Sequence, residues 1–129
     1  MKAFLVAALV ALSAAAAQAQ VAIDGAPLTK VEVAGQTILA DVNGLTAYTF
    51  DIDKPNKSNC SGNCAVVWPP IVVESGTQVA APFGTITRAD GSLQLTWNEQ
   101  PIYLFQNDKK PGDILGDGLQ GVWHIIPLE

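Results

Sequence analysis

Short apolar runs alternate with turn-forming residues from Gln20 onward, and no stretch keeps an apolar stripe at helical spacing. Polar and apolar residues alternate over residues 29–33, which is typical of a half-buried strand. The pair Asn43-Gly44 lies between two β-prone runs, which is a strong hairpin signal. Strands that recur every 8–12 residues or so, with turns between them, predict an all-β fold.

The same pattern sets the extent of each element. Strands are expected over residues 29–33, 37–42, 45–52, 71–73, 85–87, 92–97, 101–105 and 122–128. Long loops rich in Pro, Asn, Ser, Gly or Asp are expected over residues 54–63 and 108–121. Within the loops, a helical turn is most favoured at residues 61–67.

The chain contains one motif twice, because Tyr-x-Phe-x-x-Asp recurs 55 residues after its first occurrence. The shared positions are Tyr48, Phe50, Asp53 and Trp68 in the first copy and Tyr103, Phe105, Asp108 and Trp123 in the second. Such repetition indicates two copies of one unit, neither long enough to bury its own apolar face. We therefore predict repeats at about residues 35–73 and 90–128. Each would be a β-hairpin plus a strand, and a pseudo-two-fold axis would relate them in a small sandwich or barrel.

The repeated residues are expected to be structural. Tyr48, Phe50 and Ile52 alternate with their neighbours, so all three are predicted to face the same side of a strand. The motif aromatics would form the core, and each can bury roughly 150–250 Å². Asp53 and Asp108 are placed to accept hydrogen bonds from backbone N–H groups of the loops that follow them. The alternative is that these aromatics and carboxylates line a ligand groove.

The N-terminal segment has the features of a signal peptide. Lys2 precedes an apolar stretch over residues 3–16, and Ala17-Gln18-Ala19 is a small-x-small cleavage site. The apolar stretch is shorter than the ~20 residues that cross a membrane. We predict a cleaved signal peptide at residues 1–19, and then a single β domain over residues 20–129. The mature protein would be periplasmic or secreted and would not be inserted in the membrane.

The charge balance narrows the classes of partner. The chain carries 7 Lys and Arg residues against 12 Asp and Glu residues, for a net charge of −5. Nucleic acids and anionic membrane surfaces attract basic patches, so neither is an expected partner. The expected partner is a protein or a component of the cell envelope.

Two cysteines, Cys60 and Cys64, lie close together in a turn-rich loop. In an exported protein such a pair predicts a structural disulfide, with a redox-active pair as the alternative. A zinc site would need four ligands, and His124 is the single histidine of the chain. Catalytic triads and metal-hydrolase motifs are absent from the sequence, so no enzyme activity and no cofactor are predicted.

Acidic residues in the two loops leave weak cation binding open. Asp51, Asp53 and Asn56 are closely spaced, but the sequence does not fit an EF-hand loop, which needs Gly at its sixth position and Glu at its twelfth. In the second loop, Asp113 and Asp117 offer further oxygen ligands.

The double Tyr-x-Phe-x-x-Asp motif is followed by Cys60-Ser61-Gly62-Asn63-Cys64-Ala65 and Trp68-Pro69-Pro70. This combination resembles the bacterial secreted-repeat family, also called lipoprotein type 15, from about Gly35 to Ile126. The resemblance implies an exported tandem repeat with no established biochemical function. No cysteine lies near the predicted cleavage site, so the acylation that the family name suggests is not expected. Leu115 and Leu119 occupy the positions of the two cysteines in the second copy.

These observations favour a non-enzymatic exported β-repeat module with a binding or structural role in the cell envelope. The alternative is an accessory redox or metal-associated periplasmic protein that uses Cys60, Cys64 and His124.

Overall fold

A computed structural model describes residues 20–128, so the predicted signal peptide lies outside the described residues. The strands are β1 (Val21–Ala22), β2 (Thr29–Val33), β3 (Gln36–Ala40), β4 (Tyr48–Phe50), β5 (Val72–Val73), β6 (Phe83–Thr87), β7 (Leu93–Trp97), β8 (Gln100–Pro101) and β9 (Trp123–Ile125). A five-residue helix, α1 (Asn63–Val67), lies where the helical turn was predicted, and a single 3₁₀ turn covers Leu119–Gly121. Over residues 20–128 no helix is both long and apolar enough to cross a bilayer. The prediction of an all-β protein is confirmed.

The strands form three antiparallel sheets. The first has the order β1-β2-β3, the second pairs β4 with β9, and the third has the order β5-β7-β6 with β8 also on β7. The central β4–β9 pair sets Tyr48 opposite Ile125 and Phe50 opposite Trp123. These sheets do not close into a barrel, and their arrangement is sandwich-like.

Both predicted hairpins are present, and each has a local cause. In the first, the Asp41 carboxylate accepts hydrogen bonds from the backbone N–H groups of Asn43 and Leu45, at 2.8 and 2.9 Å. This Asx-type bonding turns the chain after β3. In the second, Asn98 and Glu99 both adopt positive φ, at 48° and 68°. Two consecutive residues with positive φ form the tight turn that suits the twist of an antiparallel pair, here β7 and β8.

The strand predicted over residues 45–52 is shorter in the structure, because β4 has three residues, Tyr48–Phe50. The Asp53 N–H group donates to the Phe50 carbonyl at 3.0 Å, which bends the chain immediately after the strand. Ile52 lies in this bend and is 52% exposed, so the prediction that it shares the core face is wrong. Alternation predicts which side of the sheet a side chain faces only for residues that belong to the strand.

The two repeats meet at their motif tyrosines. The Tyr48 N–H donates to the Tyr103 carbonyl at 2.8 Å, and the Tyr103 N–H donates to the Tyr48 carbonyl at 3.0 Å. Reciprocal bonds of this kind are the mark of a hydrogen-bonded antiparallel pair. Both tyrosine side chains are fully buried. The pseudo-two-fold relation therefore passes between equivalent residues of the two copies.

The core consists of an aliphatic cluster and an aromatic cluster. The aliphatic cluster contains Leu28, Leu39, Ala47, Ile71, Leu95, Ile102 and Ile126. The aromatic cluster contains Tyr48, Trp68, Tyr103, Phe105 and Trp123, with Cys60 beside them and Phe50 partly buried against them. The motif aromatics are thus buried together instead of lining an open groove.

Four of these rings form one continuous stack in the order Phe105, Trp68, Trp123, Phe50. Their successive ring centroids are 4.3, 3.7 and 4.1 Å apart. Each tryptophan therefore stacks on the phenylalanine of the other repeat, and the two indoles stack on each other. Tyr48 meets Trp68 edge-to-face at 5.3 Å, and Tyr103 meets Trp123 in the same way at 5.3 Å. Offset-stacked and edge-to-face pairs add about 0.5–1.5 kcal/mol each beyond the area that they bury.

Gly116 allows the loop at residues 108–121 to lie directly on this aromatic stack. We predict that Gly116→Ala destabilises the fold by about 1–3 kcal/mol through overpacking. A Cβ atom at this position would lie 2.5 Å from the Trp68 indole and 3.1 Å from the Phe105 ring. Urea melts of the variant, compared with the exposed-site control Ser75→Ala, measure the cost. Because the clash is with the indole, the cost should shrink when Trp68→Phe is already present. An unchanged midpoint for Gly116→Ala contradicts the prediction.

Candidate functional site

The two motifs bond to each other crosswise. The Tyr48 hydroxyl donates to Oδ2 of Asp108 at 2.6 Å, and the Tyr103 hydroxyl donates to Oδ2 of Asp53 at 2.7 Å. The tyrosine of each repeat therefore binds the aspartate of the other repeat. A buried hydroxyl without a partner would cost stability, so each repeat depends on the other to satisfy its own tyrosine.

The second oxygen of each carboxylate holds the loop that follows it in the chain. Oδ1 of Asp53 accepts from the Asn59 N–H at 2.6 Å, and Oδ1 of Asp108 accepts from the Leu115 N–H at 3.0 Å. These are the loop bonds that the sequence predicts for Asp53 and Asp108. Each aspartate thus joins a core tyrosine of the other repeat to the backbone of its own loop.

Burial raises the pKa of the Asp53 and Asp108 carboxyl groups above the ordinary value, while the bonds from tyrosine and from backbone N–H groups oppose this rise. Burial, together with the adjacent carboxylate, also raises the pKa of the Tyr48 and Tyr103 hydroxyls well above the usual range for tyrosine. Both phenols therefore keep their protons at neutral pH and act as donors to the carboxylates.

The two Tyr–Asp pairs differ in the second hydrogen-bond partner of the tyrosine hydroxyl. The Tyr48 hydroxyl accepts from the backbone N–H of Gly116 at 3.1 Å, so this pair is closed by the second loop. The Tyr103 hydroxyl is 2.6 Å from Oγ of Ser58. Because Tyr103 donates its single proton to Asp53, Ser58 is the donor in this contact.

Ser58 connects that pair to a partly buried arginine. The Arg88 guanidinium donates from Nη1 to Oγ of Ser58 at 3.0 Å and to Oε1 of Gln94 at 2.8 Å. Its Nη2 donates to the Cys60 carbonyl at 2.8 Å. A chain of hydrogen bonds thus runs from Arg88 through Ser58 and Tyr103 to Asp53. The equivalent position in the first repeat is Val33, so the first repeat has no counterpart of this arginine.

Arg88 lies at a surface cleft of about 300 Å³ between the loop at residues 56–61 and the end of β6 at residues 86–89. We call it the Arg88 cleft. Its polar lining residues are Asn56, Lys57, Ser58, Ser61, Thr87 and Arg88. Two of its lining residues, Lys57 and Arg88, are cationic, and none is an aspartate or glutamate.

The predicted disulfide between Cys60 and Cys64 is present. Cys60 is fully buried against the aromatic cluster, and its carbonyl is the acceptor for Arg88. The bond closes residues 60–64, and two residues of that segment, Cys60 and Ser61, line the Arg88 cleft. The disulfide therefore constrains the segment that fixes the arginine.

His124 is placed apart from this network. Its Nε2 is 2.7 Å from Oδ2 of Asp51, and the two side chains are 43% and 52% exposed. The two cysteines that the sequence grouped with it are bonded to each other. Over residues 20–128, no group of three or more His, Cys, Asp or Glu residues is arranged to hold a metal ion.

The acidic loop residues that left cation binding open have protein partners. Asp51 contacts His124, as described, and both oxygens of Asp53 accept hydrogen bonds. Asp113 accepts from the backbone N–H groups of Lys109 and Lys110, and Asp117 accepts from that of Ile125. Asp53, Asp113 and Asp117 each accept from at least one backbone N–H group, which is the arrangement of loop-stabilising side chains.

Sequence reasoning missed Ser58, Arg88 and Gln94. Their offset partners differ from them in type, so the repeat comparison gives no reason to select them. One signal was available for Gln94, a polar residue inside the predicted strand at residues 92–97 that is fully buried in the structure. Its Nε2 donates to the Ile102 carbonyl at 2.9 Å, which leaves Oε1 for Arg88.

Comparison with known proteins gives one result. A family model with the description "secreted repeat of unknown function" matches two segments, residues 31–72 and 84–126. The two matched segments contain the two copies of the Tyr-x-Phe-x-x-Asp motif. No curated protein and no solved structure matches the chain significantly.

The crosswise bonds predict which pairs of substitutions are coupled. Tyr48→Phe and Asp108→Ala each remove one partner of the same bond, so we expect a coupling free energy of about 1–2 kcal/mol in a double-mutant cycle from urea melts. The matched control combines Tyr48→Phe with Asp53→Ala, which share no bond, and the two should be close to additive. Stronger coupling within one repeat than across repeats would contradict the assignment.

The pKa shifts predict opposite titration behaviour for two sets of aspartates. Asp53 and Asp108 should titrate above 3.8, whereas Asp90 and Asp113 should titrate below it because backbone or hydroxyl donors stabilise their charged forms. A raised pKa means that the folded chain holds the proton more tightly than the unfolded chain. Asp53 and Asp108 therefore contribute stability below pH 3.8 that is lost as the pH rises through their folded pKa. Carboxyl ¹³C NMR titration measures all four, and a pKa below 3.8 for both Asp53 and Asp108 contradicts the prediction.

Proposed function

Because this chain belongs to the family of secreted repeats of unknown function, we propose that it is an exported binding module whose ligand enters the Arg88 cleft. The observation that carries this proposal is the difference between two otherwise equivalent halves. Duplication accounts for the stacked rings and for both Tyr–Asp pairs. It does not account for Arg88, which belongs to the second repeat, or for Ser58 and the disulfide, which belong to the first. Each of these lacks a counterpart in the other repeat, and all of them meet at one cleft.

The crosswise core supplies a rigid scaffold for this site. In the Tyr48–Asp108 pair, the tyrosine hydroxyl accepts from the Gly116 N–H, so its hydrogen bonds stay within the core. The Tyr103–Asp53 pair instead continues through Ser58 to the Arg88 cleft. Binding sites in proteins commonly lie on loops that a rigid framework positions, and the loop at residues 56–61 fits this description.

The chemistry of the cleft favours binding over catalysis. Of the two serines that line it, Ser58 has the Tyr103 hydroxyl and the Arg88 guanidinium as its side-chain contacts, and neither can act as a general base at neutral pH. An activated nucleophile needs an adjacent base. His124, the single imidazole, is bonded to Asp51 instead. The groups in the cleft are donors that can orient a ligand, so a non-enzymatic role is the better fit.

The site of action follows from export. The family is described as secreted, and the predicted signal peptide at residues 1–19 agrees with that description. We place the mature protein in the periplasm or outside the cell, with a protein or an envelope component as its partner. The redox alternative has less support, since Cys60 is fully buried and its carbonyl helps to hold Arg88.

Amide NMR of the mature chain tests the proposal with a panel of soluble envelope components, including peptidoglycan fragments, polysaccharides and lipid headgroups. We expect at least one of them to shift the amide signals of residues 56–61 and 86–89 together. Ser61→Trp, which fills the cleft, should abolish those shifts, while the exposed-site control Ser75→Trp should leave them unchanged. The proposal fails if no component shifts these signals, or if Ser61→Trp leaves the shifts intact.

A further inference from the structure

We infer that the ligand of the Arg88 cleft carries a carboxylate or phosphate group, and that this anion is held by Arg88 with help from Lys57. This inference rests on the proposed function, because it names the chemistry of the ligand for the same cleft. The ion pairs within residues 20–128 are Lys110–Asp113 and His124–Asp51, so Arg88 has no carboxylate in contact.

The nearest acids act on Arg88 only at a distance. Burial raises the pKa of Asp53, and the charge of Arg88 partly opposes that rise. Hydrogen bonds from Ser92 lower the pKa of Asp90, and the charge of Arg88 adds to that effect. However, Asp53 bonds to Tyr103 and to the Asn59 backbone, and Asp90 bonds to Ser92. The three acceptors on Arg88 are neutral oxygens. A partly buried cation whose protein partners are all neutral is not yet paired with an opposite charge. Binding of an anion beside it is therefore favourable.

Arg88 keeps two N–H donors without a protein acceptor, which is the number that a bidentate contact with an anion uses. A guanidinium has five N–H donors. Nη1 uses its two on Ser58 and Gln94, and Nη2 uses one on the Cys60 carbonyl. The Nε–H and one Nη2–H are left without an acceptor among residues 20–128. Two neighbouring guanidinium donors match the two oxygens of a carboxylate or phosphate.

Arg88 is also held in place before any ligand arrives. Gln94 is fully buried and is fixed by its own bond to the Ile102 carbonyl at 2.9 Å. The Cys60 carbonyl belongs to the disulfide-closed loop. A preorganised guanidinium loses little freedom on binding, so more of the contact energy contributes to affinity.

The other residues that line the cleft also favour an anionic ligand. Lys57 supplies a second cation, and Ser61 and Thr87 supply hydroxyl groups, while no acid lines the cleft. This local balance is opposite to that of the chain, which has more acids than bases. The volume of about 300 Å³ is at the lower limit for small-molecule sites and suits one charged group of a small ligand or of a larger molecule.

Titration of the mature chain with inorganic phosphate and with succinate, followed by amide NMR at low ionic strength, tests this inference. We expect saturable shifts at residues 56–61 and 86–89. Arg88→Gln should weaken binding by about tenfold or more. Arg88→Lys should weaken binding less than Arg88→Gln does, because lysine keeps the positive charge but lacks the paired N–H donors of a guanidinium. Lys57→Gln changes an exposed side chain and should weaken binding by about two- to threefold. Lys110→Gln, an exposed lysine outside the cleft, is the matched control and should have no effect.

Two further comparisons separate the outcomes. Glycerol 3-phosphate should bind and glycerol should not, and flotation with phosphatidylglycerol vesicles then tells a lipid headgroup from a free anion. The inference is overturned if glycerol binds equally well, or if both Arg88→Gln and Lys57→Gln leave phosphate and succinate binding unchanged. If a neutral envelope component occupies the cleft and neither anion does, the anion inference fails while the proposed binding function stands. If no component of either kind shifts the cleft signals, both fail.

Discussion

The exchange of hydrogen bonds between two tyrosines and two aspartates is the constraint on which this structure depends. Tyr48 and Tyr103 pair through their backbones, and their hydroxyl groups donate to carboxylates of the opposite repeat. Both tyrosine side chains are buried, and the carboxylate that satisfies each hydroxyl comes from the other repeat. Burial of the aromatic stack and closure of both long loops depend on this exchange, since the same carboxylates hold the loop backbones.

The Arg88 cleft lies where the two repeats differ in the residue that contacts the tyrosine hydroxyl. On one side the loop backbone itself reaches the buried phenol, and Gly116 keeps the chain close to the rings. On the other side a serine takes that place and passes the contact to Arg88. The core can therefore stay symmetric while the surface differs. A rigid centre with one specialised edge is a common way for a small domain to separate stability from recognition.

Much of the fold could be predicted from the pattern of residues, because strands, hairpin turns and repetition are local signals. The helical turn at α1 and the disulfide between Cys60 and Cys64 belong to this class. The crosswise partners of Asp53 and Asp108 could not be predicted, since an offset of 55 residues gives equivalence and not contact. Ile52 was misplaced because alternation does not reveal where a strand ends. The role of Arg88 could not be predicted, because its three acceptors come together only in the folded chain. They are Ser58, Gln94 and the Cys60 carbonyl.

The exchanged bonds have a consequence for how such a chain could arise. An ancestral single repeat would meet the same requirement by associating with a second copy of itself, as an isologous homodimer. Tandem fusion makes that association intramolecular and independent of protein concentration. It also frees the two copies to diverge, which no homodimer of identical subunits can do. An arginine at position 88, where the first copy has a valine at position 33, is the kind of difference that fusion first permits.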